Sequence, residues 1–175
     1  MKTTIQPFTL LSGVQQQIPL MTKEAEHYLY HENENYQAIV MPFKGHFKFL
    51  VVLPKPGKFG MMDNLSVDRV IDQCQSEKVE IYIPKFTQRS KMSLVETYKQ
   101  LGVTTLFTEE ADMSGITAGN LHVSDILHEV VVAVDESGVE AAAATAVDCL
   151  DECACEDDDP IKIMRVDRTF RYDIF

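Results

Sequence analysis

The sequence predicts an α+β fold, made of mostly antiparallel sheets with a few helices. Three observations predict it. Short apolar, β-branched runs recur along the chain and are bounded by Pro, Gly and Asn. Only two stretches carry apolar residues at helical spacing. Strands and helices do not alternate one for one, so a parallel βαβ sheet is not indicated.

Taken in order, residues 1–60 read as short strands. Tyr36–Phe43 (YQAIVMPF) and Phe47–Leu53 (FKFLVVL) are apolar runs separated by Lys44, Gly45 and His46, a hairpin signal with a glycine in its loop. Pro54, Pro56 and Gly57 stop the second run. From Met61 to Gln75, Leu65, Val67, Val70, Ile71 and Cys74 recur with helical period, with Asn64 or Ser66 as the N-cap. Val79–Phe86 (VEIYIPKF) alternates at first, and Pro84 either ends regular pairing or confines it to an edge. Ser93–Leu101 sets Leu94, Val95, Tyr98 and Leu101 on one helical face, and Gly102 is its stop. Leu121–Leu127 and Val130–Val134 form one long strand candidate. Ile161–Val166 and Phe170–Phe175 are two more. There is no internal repeat and no low-complexity linker, so residues 1–175 read as a single domain.

A chain of 175 residues, 45% hydrophobic, can bury a real core, which excludes a disordered class. No apolar run reaches the ~18–20 residues that span a bilayer, so no membrane partner is expected. The start, MKTTIQPFTLLSGVQQQ, lacks the apolar core and cleavage site of a secretory signal. The net charge of −11 is concentrated in Asp148, Asp151, Glu152, Glu156, Asp157, Asp158 and Asp159. That loop is either a solvated acidic surface or a bait for a basic partner or for an enzyme preferring acidic side chains. Nucleic acid is disfavoured because its phosphates would be repelled.

Cys74 reads as a small buried hydrophobe in a helix, while Cys149, Cys153 and Cys155 cluster in the acidic loop. Three neighbouring thiols do not make a disulfide framework, which favours a reducing, intracellular setting, or an extracellular one if an N-terminal part is missing. Their spacing lacks a CxxC pair and a nearby histidine, so no metal or other cofactor is expected. Enzyme signatures such as GxSxG, HExxH and a glycine-rich phosphate loop are missing, and His27, His31, His46, His122 and His128 are scattered. No catalytic residue is therefore assigned. His128 interrupts the apolar run SDILHEVVVAV and reads as a core histidine whose ring nitrogens need polar partners.

One run concentrates the information. Val130–Thr145 (VVVAVDESGVEAAAAT) passes from an apolar strand through an acidic turn into consecutive alanines. With it come IPLM (Ile18–Met21), MPFKG (Met41–Gly45), VVLP (Val51–Pro54), IPKF (Ile83–Phe86), Leu101–Val103 with Phe107, ADMSGIT (Ala111–Thr117) and VSDILHEVVVAVDESG (Val123–Gly138). In this order the motifs resemble the C-terminal half of a serpin, over nearly the whole chain.

The resemblance implies a protease inhibitor rather than a hydrolase, with a reactive-centre loop at about residues 138–160 offered as suicide substrate. Its hinge would be Gly138, Val139, Glu140, Ala141, Ala142, Ala143, Ala144 and Thr145. After cleavage the hinge would insert as a strand into the large sheet. As a strand, Val139, Ala141, Ala143 and Thr145 share one face, and all are small enough to bury. Val139 stands where threonine is common in the family. Counting from Gly138 puts the reactive bond between Glu152 and Cys153. A loop one residue shorter, as in the poxvirus serpin cytokine response modifier A, which the loop resembles, puts it after Asp151. Either choice implies a target that prefers acidic residues, such as a caspase or granzyme B-like protease. The N-terminal helices, the strands that open to receive the hinge and the family's final strand have no counterpart, so a partial serpin domain is expected. Its His128 would be the shutter-type histidine whose partners lie in the part that is missing. A non-inhibitory interaction protein is the alternative, and a metal-binding acidic–cysteine loop is a minor third.

Overall fold

The longest strand explains most of the architecture. In the computed structural model, which describes residues 1–43, 47–117, 119–137 and 160–175, β2 runs for 18 residues from Gln15 to Glu32. At about 3.3 Å per residue a strand of that length spans roughly 60 Å, room for several partners at different heights. β1 (Lys2–Thr9) pairs antiparallel with its first half, from Lys2↔Thr22 to Thr9↔Gln15. The connecting turn closes with Gly13 N–H donating to the Leu10 carbonyl at 2.9 Å, and Gly13 sits at φ 84°, where a side chain would be strained. β3 (Tyr36–Pro42) takes the far end of β2, from Leu29↔Val40 to Glu32↔Gln37. β5 (Gln75–Pro84) takes the opposite edge, from Leu20↔Pro84 to Tyr30↔Gln75. A bulge between Lys23 and Glu26 lets one strand serve all three.

β4 (Lys48–Pro54) pairs with β3 over the whole predicted hairpin, although Lys44, Gly45 and His46 of its loop lie outside the described residues. β9 (Arg171–Ile174) pairs with β4, and β8 (Lys162–Arg165) lies parallel to β5. The order is β8-β5-β2-β3-β4-β9, with β1 beside β2, seven strands in all. The parallel β5–β8 ladder is the exception in an otherwise antiparallel sheet. The expected short strands of residues 1–60 are corrected in one respect. Residues 15–32 form one long strand, although their charged stretch TKEAEHYLYHE gave no apolar alternation to mark it.

β3 and β4 are buried on both faces. Tyr36, Ala38, Val40, Leu50 and Val52 point to one side and pack with Met62 and Val70 from the helical segment. Ile39, Met41, Phe49, Val51 and Leu53 point to the other, where Phe49 meets Tyr172 at 5.5 Å between ring centres. Tyr172 continues a chain of aromatic contacts through Phe86 and Phe170 to Phe8.

The helix expected over Met61–Gln75 is split. A 3₁₀ turn covers Phe59–Asn64, Leu65 is extended, and α1 occupies only Val67–Gln73. Ser66 stands at the N-cap in extended conformation but makes no side-chain capping bond. The break is held instead by Arg171, whose Nη1 donates to the carbonyls of Met62 at 2.7 Å and Leu65 at 2.9 Å. Asp173 orients that guanidinium through both carboxylate oxygens. Cys74 ends α1 because β5 begins at the next residue. Its thiol is half-buried, donates to the Val70 carbonyl at 3.2 Å, and is pushed by burial up to about 11.

The described residues fall into two units, Met1–Phe86 with Ala133–Phe175, and Thr87–Val132. The second is built around a two-stranded sheet of β6 (Phe86–Ser93) and β7 (Leu127–Val134). α2 covers Val95–Gln100, inside the expected Ser93–Leu101, and Gly102 stops it as expected, directly after the C-cap Leu101 at φ 91° with its N–H donating to the Lys99 carbonyl at 3.0 Å. Residues 121–126 are irregular, so only the second part of the long strand candidate is a strand, and it includes His128. His128 is exposed, which corrects its reading as a core histidine: among the described residues β7 has β6 as its only strand neighbour, and burial along β7 begins only at Val132 and is complete at Val134.

These packing differences predict unequal costs of truncation. Leu50→Ala removes a fully buried side chain and should destabilise by about 2–5 kcal/mol. Leu101→Ala, at a side chain 75% exposed, should stay within about 0.5 kcal/mol. Urea denaturation of the two variants checks the difference.

Candidate functional site

The residues on either side of the segment 138–159 are the described part of the candidate site. On the near side, β7 ends at Val134, which is buried, and the chain turns through Asp135, Glu136 and Ser137. The turn is fixed locally by the Ser137 amide donating to the Asp135 carboxylate at 3.0 Å. It is fixed to the sheet by Glu136. Lys85, the residue after β5, donates to its Oε2 at 2.5 Å, and Thr3 Oγ1 of β1 donates to its Oε1 at 2.7 Å. Both carboxylate oxygens are thereby used. The Lys85 hydrogen bond, followed by that of Thr3, holds the Glu136 carboxyl at about 2, well below its ordinary 4.5. The same bond pushes the Lys85 ammonium up.

On the far side Pro160 is exposed, and β8 then joins β5 in parallel from Val79↔Lys162 to Tyr82↔Arg165. The Arg165 guanidinium lies 3.9 Å from the centre of the Tyr82 ring, against the strand that carries the near anchor. Both ends of the segment are thus tied to β5, one at Lys85 and the other at Val79. Six residues of extended chain separate those points, roughly 20 Å.

The hinge Gly138–Thr145 and the bait residues Asp151, Glu152 and Cys153 lie outside the described residues, as do Cys149, Cys155 and the acids from Asp148 to Asp159. His128 is placed at the exposed start of β7. Sequence reasoning missed Thr3 and Lys85 as anchors. Lys85 lies within the IPKF motif, but nothing local marks it as the partner of a carboxylate 51 positions away. Among the described residues no group of three or more His, Cys, Asp or Glu is placed to hold a metal ion, and no helix is long and apolar enough to cross a membrane.

The sheet is thus a scaffold that holds the described chain on both sides of the acidic segment. Comparison with known proteins identifies which scaffold. The sequence profile described as "Serpin (serine protease inhibitor)" matches residues 1–175. The human plasma serine protease inhibitor is 34% identical over 149 residues, covering 82% of this chain and 37% of its own length. An uncharacterized serpin-like protein of Acanthamoeba polyphaga mimivirus is 32% identical over 169 residues, covering 90% of this chain and 42% of its own. Among solved structures, human thyroxine-binding globulin in its hormone complex superimposes with a TM-score of 0.72 at 25% identity, covering 99% of this chain and 46% of that one. The thermophilic serpin tengpin gives 0.63 at 29% identity, covering 98% and 46%. The chain belongs to the serpin family, and it spans less than half the length of these relatives.

The Glu136 anchor has a pH signature. Because folding lowers this carboxyl, its contribution to stability is complete above about pH 4.5 and is lost as the pH falls through about 2. Carboxyl NMR of the protein should show Glu136 titrating near 2, and Lys85→Met should move that midpoint up towards 4.5. An unchanged midpoint in the variant would remove Lys85 as the cause.

Proposed function

We propose that this chain carries the bait and the moving hinge of a serpin-type inhibitor, directed at a protease that prefers acidic residues. The observation that carries the reading is the anchored stem. The Glu136 carboxylate, tied to Lys85 and Thr3, holds the chain immediately before Gly138, and the sequence beyond is small, insertable and then acidic. The contour of residues 138–159, roughly 70 Å if extended, is several times the gap between the two anchors, so the bait has chain enough to reach an enzyme.

In this reading a protease nucleophile attacks the carbonyl carbon of Asp151 or Glu152. The peptide C–N bond breaks, and the new amino group of the following residue leaves with a proton. The freed hinge then folds back as a strand, with β7 the natural neighbour because among the described strands only its β6 edge is paired. Val139, Ala141, Ala143 and Thr145 would form the face that must bury. Asp151 or Glu152 would fill the specificity pocket of a caspase or granzyme B-like protease, by analogy with the acidic bait of cytokine response modifier A. The chain itself acts as substrate and trap, and supplies no catalytic group. His128 would act as the shutter-type histidine, hydrogen-bonded to partners outside these residues.

A second reading, a non-inhibitory interaction protein, is favoured by β7 itself. Its Leu127 and Val131 are exposed on one face and its Val130 on the other, apolar side chains suited to holding a partner.

One assay separates the two. Incubated with granzyme B-like proteases and caspases, the full-length form should give an SDS-stable complex and a cut after Asp151 or Glu152. Replacing both acids by alanine should abolish recognition. Ala143→Arg should preserve the cut but lose the complex, because a charge cannot enter the sheet. Cleavage of the unaltered protein without a complex would favour the second reading, and neither complex nor cleavage between Asp148 and Cys153 would sink the first.

A further inference from the structure

A cleft of about 580 Å³ opens in the first unit, on residues that the proposed inhibitory mechanism does not use. That volume is within the usual range for small-molecule sites, roughly 300–1,000 Å³. Its walls are the β1–β2 turn, the segment Pro54–Gly60 after β4, and the connection Asp167–Thr169 between β8 and β9. The walls are joined by backbone bonds. Thr9 N–H donates to the Asp167 carbonyl at 2.8 Å, and Thr169 N–H donates to the Thr9 carbonyl at 3.0 Å. The opening therefore belongs to the fold rather than to a side-chain rotamer.

Leu10, Leu11, Pro54, Pro56 and Phe59 give the cleft an apolar lining. Arg168 gives it a fixed polar point. Its Nε donates to the Pro54 carbonyl at 2.8 Å and its Nη1 to the Asp167 carboxylate at 2.9 Å. A guanidinium has five N–H donors. The described residues engage Arg168 through these two nitrogens only, which leaves Nη2 open. Lys55 also lines the cleft, but its ammonium is ion-paired with Glu32, so the donor left for an anion is that of Arg168.

A preformed apolar cleft with a positioned guanidinium fork selects a planar anion carried on an apolar body. We propose that this cleft binds an apolar organic carboxylate. The carboxylate accepts from the open donors of Arg168, and the apolar body lies between Leu10, Leu11 and Phe59. Fatty and aryl carboxylic acids share this chemistry.

The probe is dansylaminoundecanoic acid, titrated by fluorescence against the full chain, with its methyl ester as the uncharged control. The acid should bind saturably, and the ester about tenfold more weakly. Arg168→Gln should weaken the acid about tenfold and leave the ester unchanged. Gly60→Leu supplies the test that does not touch a hydrogen bond. Gly60 lines the cleft, has no positive φ, and a Cβ built there meets nothing within 4 Å, so the leucine should fill the space without unfolding the protein and abolish binding of both probes. An aryl probe, naphthaleneacetic acid, displacing the dansyl acid would place aryl carboxylates within the class, and failure to displace it would narrow the class to alkyl chains. Non-saturable binding, equal affinity for acid and ester, or unchanged binding in Gly60→Leu would overturn the proposal. If Arg168→Gln does not fold, the acid–ester comparison and Gly60→Leu decide it.

Discussion

The pairing of β2 with three strands is the constraint on which the rest of the sheet depends. β1 and β3 share one edge of β2, and β5 runs along the other. A side chain on β2 therefore has its face set by three ladders at once. A one-residue slip in any of them would turn Leu20 or Tyr30 out of the core. The bulge between Lys23 and Glu26 reconciles the ladders. It also leaves Lys23 buried, and the structure satisfies that ammonium with Glu26 at 2.7 Å and the Tyr28 ring at 5.4 Å. The aliphatic core then follows from β3 and β4, whose continuous apolar runs are buried on both faces because helical residues cover one side and aromatic rings lie on the other.

The same framework positions both stems of the acidic segment. β5 receives its register from β2, and it then holds β8 in parallel and presents Lys85 beyond Pro84. Surface ion pairs contribute little to stability in general, and the Lys85–Glu136 pair is exposed. Its effect is to define a place. A carboxylate held by an ammonium and a hydroxyl from different strands fixes where the chain leaves the sheet. The apolar exposed face of β7 is the opposite case: its hydrophobic sequence asks for a neighbour that the described strands do not supply.

How much could be read beforehand depended on whether the signal was local. The Tyr36–Leu53 hairpin was plain because both strands are dominated by apolar residues, and β8 and β9 were found because apolar and charged residues interleave through Ile161–Val166 and Phe170–Phe175. β6 was not. Its sequence FTQRSKMS is polar on both faces, and it becomes a strand only through pairing with β7. The split of the Met61–Gln75 helix was hidden because the residue that holds the break, Arg171, is 106 positions from Leu65. His128 was expected inside because its neighbours are apolar, but burial of an apolar strand requires a second layer, and among the described residues the His128 end of β7 has none. The stem of the candidate site was legible as a hinge motif but not as an anchored one, since Thr3 and Lys85 are 133 and 51 positions from Glu136.

The sequence by itself determined what its own short-range patterns encode: an α+β class, the hairpin, the helical spacing, the acidic segment and the family to which its motifs belong. Only the tertiary structure decided which strands share β2, where the helix breaks, how Glu136 is held, and that Arg168 lines an apolar cleft. The physical reason is that these are properties of pairs of residues far apart in the chain. Periodicity reports the face a residue prefers, and only the folded sheet reports what stands opposite it.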